Sequence, residues 1–340
     1  MILVGDIGGT KSRLAIFRAG TSLPAPLREA VFPSSRYGNL AELVRTFLSL
    51  GDQRVDAAVF GVAGPVVGGR AKLTNLPWVL DRKSLAAELG LKRVILLNDL
   101  LATAAAIPHL RREAIETLQQ GREDPRGNIA VIAPGTGLGE AFVTRDGNRP
   151  RAYATEGGHA DFAPRNGDEL ALRQEMVQRA GRVSYETVCS GPGIARIYDI
   201  LGQTGLEKAI GRVQNDPENP ADPVPGIVAA ALRAVDPCSL AVKTLRLYAG
   251  MLGAEAGNLA LKILATGGLY LAGGIPPRIL PFLKEEGFLR AFRDKAPMSD
   301  LMARIPVHVV LEPRTALLGA ACWFREREME TVSAGCPEGD

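Results

Sequence analysis

A glycine-rich hairpin occurs twice in this chain and limits the folds that the chain can adopt. The first copy turns at Gly8-Gly9-Thr10, between predicted strands at 2–6 and 12–18. The second copy, about 130 residues later, turns at Gly135-Thr136-Gly137, again between two predicted strands. Glycines allow a tight turn whose backbone N–H groups can face an anion. One such turn is usually an ordinary β-turn, but the pair predicts a duplicated fold with a phosphate-binding hairpin in each half.

Neither hairpin matches the two common nucleotide-binding motifs. The stretch from Gly5 to Ser12 approaches the Walker A pattern, but Thr10 stands where that pattern needs glycine. A strand also follows it, whereas a P-loop leads into a helix. The second turn, Gly135-x-Gly137-x-Gly139, differs in spacing from the dinucleotide fingerprint, and no helix follows it either. We therefore predict neither a P-loop nor a Rossmann turn.

A polar pair, Asn98-Asp99, follows the apolar stretch 94–97, which is typical of a buried parallel strand. Good helix formers come next, so the pair lies at a strand-to-helix junction. Ligands bind at that end of the strands in open α/β sheets. Taken alone, the pair is better explained with Asp99 as a helix N-cap. The two hairpins favour the alternative, in which Asp99 belongs to a functional site.

A second polar stretch, Glu156-Gly-Gly-His159, places a carboxylate and an imidazole around two glycines. A metal site is a weak alternative because no cysteine or second histidine lies nearby. A nucleophilic triad is weaker still, because no Ser or Cys has a nucleophile context. Glutamate accepts hydrogen bonds and histidine can donate or accept them. We therefore expect this loop to bind a neutral ligand with several hydroxyl groups.

Other segments give coarser expectations. The helix after Asp99 should run over 102–118 with a break near Pro108, where we place the first domain crossing. A long helix at 239–264 carries small residues for close packing, and a homodimer interface there stays an open alternative. A strand at 268–275 ends at Gly273-Gly274, and a helix that follows to about Phe282 would offer its N-terminus to a ligand. The Pro-rich segment 214–226 is predicted to be a loop.

Composition excludes several protein classes. The chain has 340 residues, enough for two domains, and its 46% apolar and 23% charged content is normal for a globular protein. A net charge of +3 without basic runs argues against nucleic acid as a partner. Four scattered cysteines fit a reducing cytosol. We find no signal peptide and expect no membrane span.

Six short motifs follow one another along residues 2–325. They are Asp6-Ile-Gly-Gly-Thr10, Leu97-Asn-Asp-Leu100, Pro134-Gly-Thr-Gly-Leu-Gly139, Glu156-Gly-Gly-His159, Glu186-Thr-Val-Cys-Ser-Gly191 and Ala272-Gly-Gly274. Each motif is weak alone, but the six in this order are highly specific. On these motifs the chain resembles bacterial glucokinases of the hexokinase-like, actin-like ATPase group over nearly its whole length.

The resemblance implies an α/β, two-lobed ribonuclease-H-like (actin-like ATPase) fold, in which each lobe has a mixed sheet flanked by helices. ATP is expected between the lobes, which are expected to close around the sugar. The last helix is expected to return to the first lobe. The implied domains are a small N-terminal lobe of 1–108 plus 312–330, a large lobe of 109–311, and a tail of 331–340.

The resemblance also implies residue roles. For the sugar, the family's positions match Asn98, Asp99, Glu156, His159 and Glu186, with Asp99 as the general base. For ATP and Mg²⁺, the matching residues are Asp6, Gly8, Gly9 and Thr10 at the transferring phosphate, Gly135, Thr136 and Gly137 at the other phosphates, and Gly273 and Gly274 at the adenosine. Asp6 is expected to hold Mg²⁺ through water. Residues 161–166 replace the Cys-rich motif of related ROK proteins, so no structural zinc is expected, and no DNA-binding helix pair is expected either.

The implied reaction is ATP-dependent phosphorylation of D-glucose at the 6-hydroxyl, in the cytoplasm. Within the same class, the alternatives are a kinase of another hexose or N-acetylhexosamine, or a kinase with a polyphosphate or ADP donor. From other classes, a non-catalytic sugar sensor is disfavoured by Asp99 and both hairpins. A chaperone-type ATPase is disfavoured by Glu156, His159 and Glu186. The roles of Lys11 and of the segment 215–225 are left unassigned.

Overall fold

The computed structural model describes residues 1–18, 25–73, 76–147, 149–203, 222–235 and 237–334, with side chains up to residue 328. Most of the predicted loop 214–226 lies outside the described residues. The chain divides into two compact units. The first comprises Met1–Arg111, Pro150–Ala154 and Arg314–Asp340, and the second comprises Arg112–Arg149 and Thr155–Pro313. The domain boundaries implied by the resemblance stay a prediction.

The described residues form fourteen strands and twelve α-helices. The strands are β1 Ile2–Ile7, β2 Lys11–Phe17, β3 Arg28–Pro33, β4 Ala57–Val62, β5 Val66–Val67, β6 Arg70–Lys72, β7 Val79–Asp81, β8 Arg93–Asn98, β9 Ile115–Gln119, β10 Ile129–Pro134, β11 Leu138–Asp146, β12 Arg149–Thr155, β13 Leu269–Leu271 and β14 Val307–Val310. The helices are α1 Leu40–Leu48, α2 Arg82–Leu89, α3 Asp99–Ala106, α4 Gly167–Ala180, α5 Tyr185–Val188, α6 Gly191–Gln203, α7 Val224–Ala231, α8 Ser239–Ile263, α9 Leu280–Lys284, α10 Glu286–Arg293, α11 Ser299–Arg304 and α12 Thr315–Ala334.

Two mixed sheets repeat one topology. The first has the strand order β3-β2-β1-β4-β8, in which β1 and β2 form the first hairpin and β4 and β8 follow in parallel. The second has the order β12-β11-β10-β13-β14-β9, in which β10 and β11 form the second hairpin and β13 and β14 follow in parallel. The prediction of a duplicated fold is confirmed by this repeat. A separate three-stranded sheet has the order β5-β6-β7.

The first sheet is buried on both faces because the apolar side chains of β1 alternate in direction. Leu3 and Ile7 pack on one face with α1, whose Leu40, Leu43, Val44 and Phe47 form a single apolar stripe. Ile2 and Val4 pack on the opposite face with Leu317, Ala320 and Phe324 of α12. The last helix thus belongs to the first unit, as the resemblance implied.

The second unit is built around α8, whose middle turns are buried among apolar side chains. Its small residues serve packing inside the unit. A Cβ on Gly253 would lie 2.3 Å from the carbonyl oxygen of Phe288 in α10, so only glycine permits this approach. Of the helices in the described part of the chain, none combines the length and apolar composition needed to span a bilayer.

Three sequence predictions need correction. The helix expected over 102–118 ends at Ala106, and a 3-10 turn at Ile107–His109 follows, after which Ile115–Gln119 forms β9. The helix expected directly after Gly274 begins only at Leu280, so no helix N-terminus lies at the glycine pair. The segment expected to be a tail is helical through Ala334.

Candidate active site

The first hairpin is held in shape by the turn that follows β3. The N–H of Gly8 donates to the carbonyl of Lys11 at 3.2 Å and closes the turn. The hydroxyl of Ser34 donates to the carbonyl of Gly8 at 2.8 Å. Ser12, on β2, places its hydroxyl 2.8 Å from that of Ser34. These hydrogen bonds hold the backbone of the turn in place, while the side chain of Thr10 is exposed.

Asp6 lies near the end of β1, opposite Arg13 of β2. Desolvation raises the pKa of its carboxyl above the ordinary value, and the charge of Arg13 opposes that shift. Among the described residues the carboxyl has no hydrogen-bond partner; the guanidinium of Arg13 pairs with Glu29. A desolvated carboxylate without donors is suited to a hard cation, which prefers oxygen ligands.

Asn98 and Asp99 have different local roles. Asn98 is the N-cap of α3: its Oδ1 accepts from the N–H groups of Leu100 at 3.0 Å and Leu101 at 3.1 Å. Its Nδ2 donates to the carbonyl of Gly64 at 3.2 Å. The cap role considered for Asp99 therefore belongs to Asn98. Asp99 is the first helical residue, and its Oδ1 accepts from the N–H of Leu100 at 2.9 Å.

The strand register places Asp6 and Asp99 at the same edge of the first sheet. Asp6 is level with Gly61 of β4, and Gly61 is level with Leu97 of β8. Asp99 lies two residues beyond Leu97. Two interstrand spacings separate β1 from β8, which amounts to about 10 Å. The hairpin turn and both carboxylates therefore lie at the carboxyl ends of the parallel strands.

In the second unit, Glu186 on α5 lies against the second hairpin. Its Oε2 accepts from the N–H of Leu138 at 3.0 Å. A Cβ on Gly137 would lie 2.5 Å from the same oxygen. The N–H of Gly191 also donates to the carbonyl of Gly135 at 2.8 Å. The short α5 and the start of α6 thus fix the turn Gly135-Thr136-Gly137.

Glu156, His159 and Glu186 form one cluster beside that hairpin. The Nε2 of His159 lies 3.8 Å from Oε2 of Glu156, and its Nδ1 lies 3.8 Å from Oε1 of Glu186. Both distances are longer than a hydrogen bond, and the side chain of His159 is 56% exposed. An imidazole flanked by two carboxylates can accept or donate at several points, which suits vicinal hydroxyls.

Two residues outside the predicted set support this cluster. Arg182 donates from Nη2 to the carbonyl of His159 at 2.7 Å and from Nε to Oδ1 of Asp161 at 2.8 Å. Glu140, which lies on β11 of the second hairpin, is buried beside Gly157. No sequence signal points to either residue, because both act through contacts with other elements that lie about 20 residues away along the chain.

The glycine pair after β13 approaches the second hairpin. Gly273 has φ +84°, a left-handed conformation that favours glycine. A Cβ there would lie 2.6 Å from the carbonyl oxygen of Pro134, directly before the hairpin turn. At Gly274 a Cβ would meet no atom within 4 Å. The two expected nucleotide-binding segments of the second unit are therefore adjacent.

Known proteins resemble this chain over nearly its whole length. A family model described as Glucokinase matches residues 3–327. A glucokinase from Nostoc sp. is 40% identical over 336 residues, covering 94% of this chain and 98% of the relative. The crystal structure of a glucokinase from an Antarctic psychrotroph aligns with a TM-score of 0.80 at 32% identity, covering 95% and 98% of the two chains.

A more distant structure extends the fold comparison. A ROK family glucokinase from Streptomyces griseus, solved in complex with glucose and AMPPNP, aligns with a TM-score of 0.63 at 20% identity, covering 94% of this chain and 97% of that one. Together with the two sheets, these neighbours confirm the expected actin-like ATPase fold class. The match to the family model and the identity to the Nostoc relative together show that this chain belongs to the glucokinase family.

Proposed function

We propose that this protein transfers the γ-phosphoryl group of ATP to the 6-hydroxyl of D-glucose, giving glucose 6-phosphate and ADP. The observation that carries this proposal is the family match over residues 3–327. The geometry supports it in two ways. Each sheet carries a glycine hairpin suited to phosphates. In the second unit, two carboxylates and an imidazole form a cluster that suits a ligand without charge.

In this proposal, glucose is bound by hydrogen bonds alone. Glu156, His159 and Glu186 supply acceptors and one adaptable imidazole, and Asp99 supplies a further carboxylate. Asn98 can make fewer hydrogen bonds to the sugar than the other residues. Its Oδ1 accepts two backbone N–H groups, and its Nδ2 donates one of its two hydrogens to the carbonyl of Gly64. A pocket that pairs each hydroxyl rejects an epimer, since the wrong sugar leaves a buried group without its partner.

Asp99 is the proposed general base. It orients the 6-hydroxyl toward the γ-phosphorus and takes the hydroxyl proton as the new O–P bond forms and the bond to the ADP oxygen breaks. Phosphoryl transfer has a loose transition state, so orientation matters more than basicity. The position of Asp99 at the carboxyl ends of the parallel strands, on the same sheet edge as Asp6, supports this role.

The remaining proposed roles concern the nucleotide and its metal. The turns Gly8-Gly9-Thr10 and Gly135-Thr136-Gly137 would contact the phosphates, and Gly273-Gly274 would border the adenosine. The N–H groups of Gly8 and Gly135 close their own turns on the carbonyls of Lys11 and Gly137, so the phosphates would take the N–H groups that follow them in each turn. The carboxylate of Asp6, which has no hydrogen-bond partner among the described residues, would hold Mg²⁺ through water. The ion would neutralise the charge on the phosphate oxygens during transfer.

The test is ADP release from Mg·ATP with glucose, mannose, N-acetylglucosamine, N-acetylmannosamine and no sugar, run in parallel. We expect strong release with glucose and little release without a sugar. Preference for another hexose would keep the mechanism and change the substrate. Equal release with and without every sugar would contradict the proposed function and favour an ATPase.

A further inference from the structure

Two buried glutamates in the second unit have no part in the proposed transfer. Glu140, on β11, is 1% exposed and Glu255, on α8, is 0% exposed. Their side chains are close enough for one acid to donate a hydrogen bond to the other when it carries a proton. We call these two residues the buried acid pair. Burying two carboxylates side by side is costly unless charge or hydrogen bonds compensate, so the pair needs a physical explanation.

The hydrogen bonds of the pair are incomplete if both acids are ionised. Oε2 of Glu255 accepts from Nδ2 of Asn258 at 2.8 Å. Oε1 of Glu255 and Oε1 of Glu140 are both buried and have no hydrogen-bond partner among the described residues. The Nζ of Lys262 is 3.7 Å from Oε1 of Glu255, too far for a hydrogen bond. One proton between the acids would turn an acceptor into a donor and satisfy both sides.

The pair lies directly beneath the loop Glu156–His159, which we call the sugar loop. A Cβ on Gly157 would lie 2.1 Å from Oε2 of Glu140, so the loop backbone rests on this carboxyl group. The N–H of Gly157 donates to Oγ1 of Thr155 at 3.1 Å, and that hydroxyl donates to the carbonyl of Glu140 at 3.2 Å. A movement of Glu140 would therefore be transmitted to the sugar loop.

The same network reaches the other side of the cluster. Nδ2 of Asn258, besides binding Glu255, donates to the hydroxyl of Tyr185 at 3.1 Å. Tyr185 directly precedes Glu186 in α5. The Oδ1 of Asn258 accepts from Nζ of Lys295 at 2.7 Å. The buried acid pair thus supports both segments that carry the proposed sugar ligands.

Other charged and titratable groups surround the pair. From α8 and the chain after α10, Lys262 and Lys295 stabilise negative charge on Glu255. From α5 and its C-terminal end, Tyr185 and Cys189 stay neutral, because desolvation and the charge of Glu255 raise the pKa of both groups. Arg165 is neutralised by its ion pair with the buried Glu169 of α4. The two lysines therefore favour negative charge on Glu255, whereas on Glu140 desolvation and the charge of Glu255 outweigh the effect of Lys262.

From this geometry we propose that Glu140 is a positioning residue for the sugar: Glu140 carries a proton shared with the carboxylate of Glu255, and this neutral contact holds the sugar loop in its binding conformation. The inference rests on the proposed function, because it concerns the same sugar site. Loss of the proton leaves two adjacent carboxylates, whose repulsion pushes Glu140 against Gly157 and weakens glucose binding.

The direction of the protonation equilibrium agrees with this assignment. Desolvation, with a further contribution from the charge of Glu255, raises the pKa of Glu140 to about 8. Desolvation also raises the pKa of Glu255, but Asn258, Lys262, the hydrogen bond with Glu140 and Lys295 oppose that shift. The proton therefore resides on Glu140.

The experiment measures glucose affinity between pH 7 and pH 9, by calorimetry without ATP and as KM in the coupled assay. If only the protonated pair binds, the affinity of the parent falls about tenfold over this range, in proportion to the protonated fraction. The kcat of the parent at saturating glucose stays within about twofold, because Glu140 does not touch the reacting atoms. Glu140→Gln keeps the shape and a permanent donor, so its glucose affinity should not change with pH.

Two further variants make the test specific. Glu255→Gln removes the neighbouring charge that helps to raise the pKa of Glu140, so the midpoint of the pH dependence should move to lower pH. Glu175→Gln, a partly exposed carboxylate on α4, is the matched control and should behave as the parent does. If Glu140→Gln is not recovered folded, the midpoint shift of Glu255→Gln decides the question.

The outcomes separate the two proposals. A parent affinity that is constant between pH 7 and 9 overturns the inference, as does an unchanged pH dependence in Glu140→Gln or an unmoved midpoint in Glu255→Gln. Glucose binding with the expected pH dependence but without phosphoryl transfer would support the inference while the proposed function fails. A parent that binds no glucose would overturn both.

Discussion

At the scale of single residues, Asn98 and Asp99 are neighbours with separable tasks. Asn98 caps α3 with its Oδ1, and Asp99 is the proposed base. Asp99→Asn keeps the size and hydrogen-bonding atoms but removes proton acceptance, so we expect turnover to fall by about 10²–10⁴ with little change in glucose affinity. Steady-state kinetics and calorimetry measure the two effects. Near-normal turnover would remove Asp99 from the base role.

Asn98→Ala should instead lower the stability of the protein. It removes the acceptor for the N–H groups of Leu100 and Leu101, which costs about 1 kcal/mol of stability for a lost N-cap. Asn98→Asp retains an acceptor at the cap and serves as the matched control. Urea denaturation of the three proteins gives the comparison. Equal stability of Asn98→Ala and the parent would mean that the cap contributes nothing.

The buried acid pair also predicts how stability depends on pH. The pKa of Glu140 is raised in the folded protein, so its contribution to stability is complete below the ordinary glutamate pKa. That contribution is lost as pH rises toward about 8, at up to about 1.4 kcal/mol per pH unit. Glu140→Gln removes this slope. Urea unfolding of both proteins from pH 5 to 8 measures the difference, and parallel slopes would contradict the prediction.

At the scale of elements, the packing of α12 on α3 depends on a close approach at Gly319. A Cβ there would lie 1.7 Å from the carbonyl oxygen of Ala102. This oxygen belongs to the backbone of α3, so no side-chain rotation can relieve the clash. Gly319→Ala should therefore destabilise the protein by about 1–3 kcal/mol or more through overpacking. Gly287→Ala is the control, since a Cβ at that helical glycine meets no atom within 4 Å. Thermal unfolding that ranks the two variants equally would contradict this account.

Elements that are specified by the pattern of their own residues can be predicted from the sequence. Elements that depend on pairing with residues distant in the sequence cannot. The hairpins and α8 follow from apolar patterns and turn residues. By contrast, the residues of β9 fall within a predicted helix. Their strand conformation depends on pairing with β14 and on the amide of Gln119, which donates to the carbonyl of Met302. Pairing over such a distance leaves no local pattern in the sequence.

The candidate site divides in the same way. Glycine turns and the motifs around Asp99, Glu156 and Glu186 are visible in the sequence, and the structure brings Glu156, His159 and Glu186 together. Their roles stay predictions. That Asn98 caps α3, and Asp99 does not, depends on backbone geometry at one junction. The contact between Glu140 and Glu255 depends on how β11 and α8 pack, which residue type alone does not reveal.

At the scale of the whole molecule, the proposed sugar ligands are distributed over both units. Asn98 and Asp99 belong to the first, whereas Glu156, His159 and Glu186 belong to the second. If one glucose molecule binds to residues of both units, a substitution in either unit should weaken glucose binding. A sugar held by one unit alone would instead be insensitive to changes in the other.

Thermal unfolding with and without glucose tests this distribution. Glucose at about one hundred times its Kd should raise the free energy of unfolding by about 2.7 kcal/mol, because it binds only the folded protein. Asp99→Ala and Glu186→Ala should each reduce this stabilisation at the same glucose concentration. Glu88→Ala in the first unit and Glu175→Ala in the second are surface controls that should retain it. Stabilisation that survives Asp99→Ala but disappears in Glu186→Ala would assign the sugar to the second unit alone, and Asp99 would then act on another ligand.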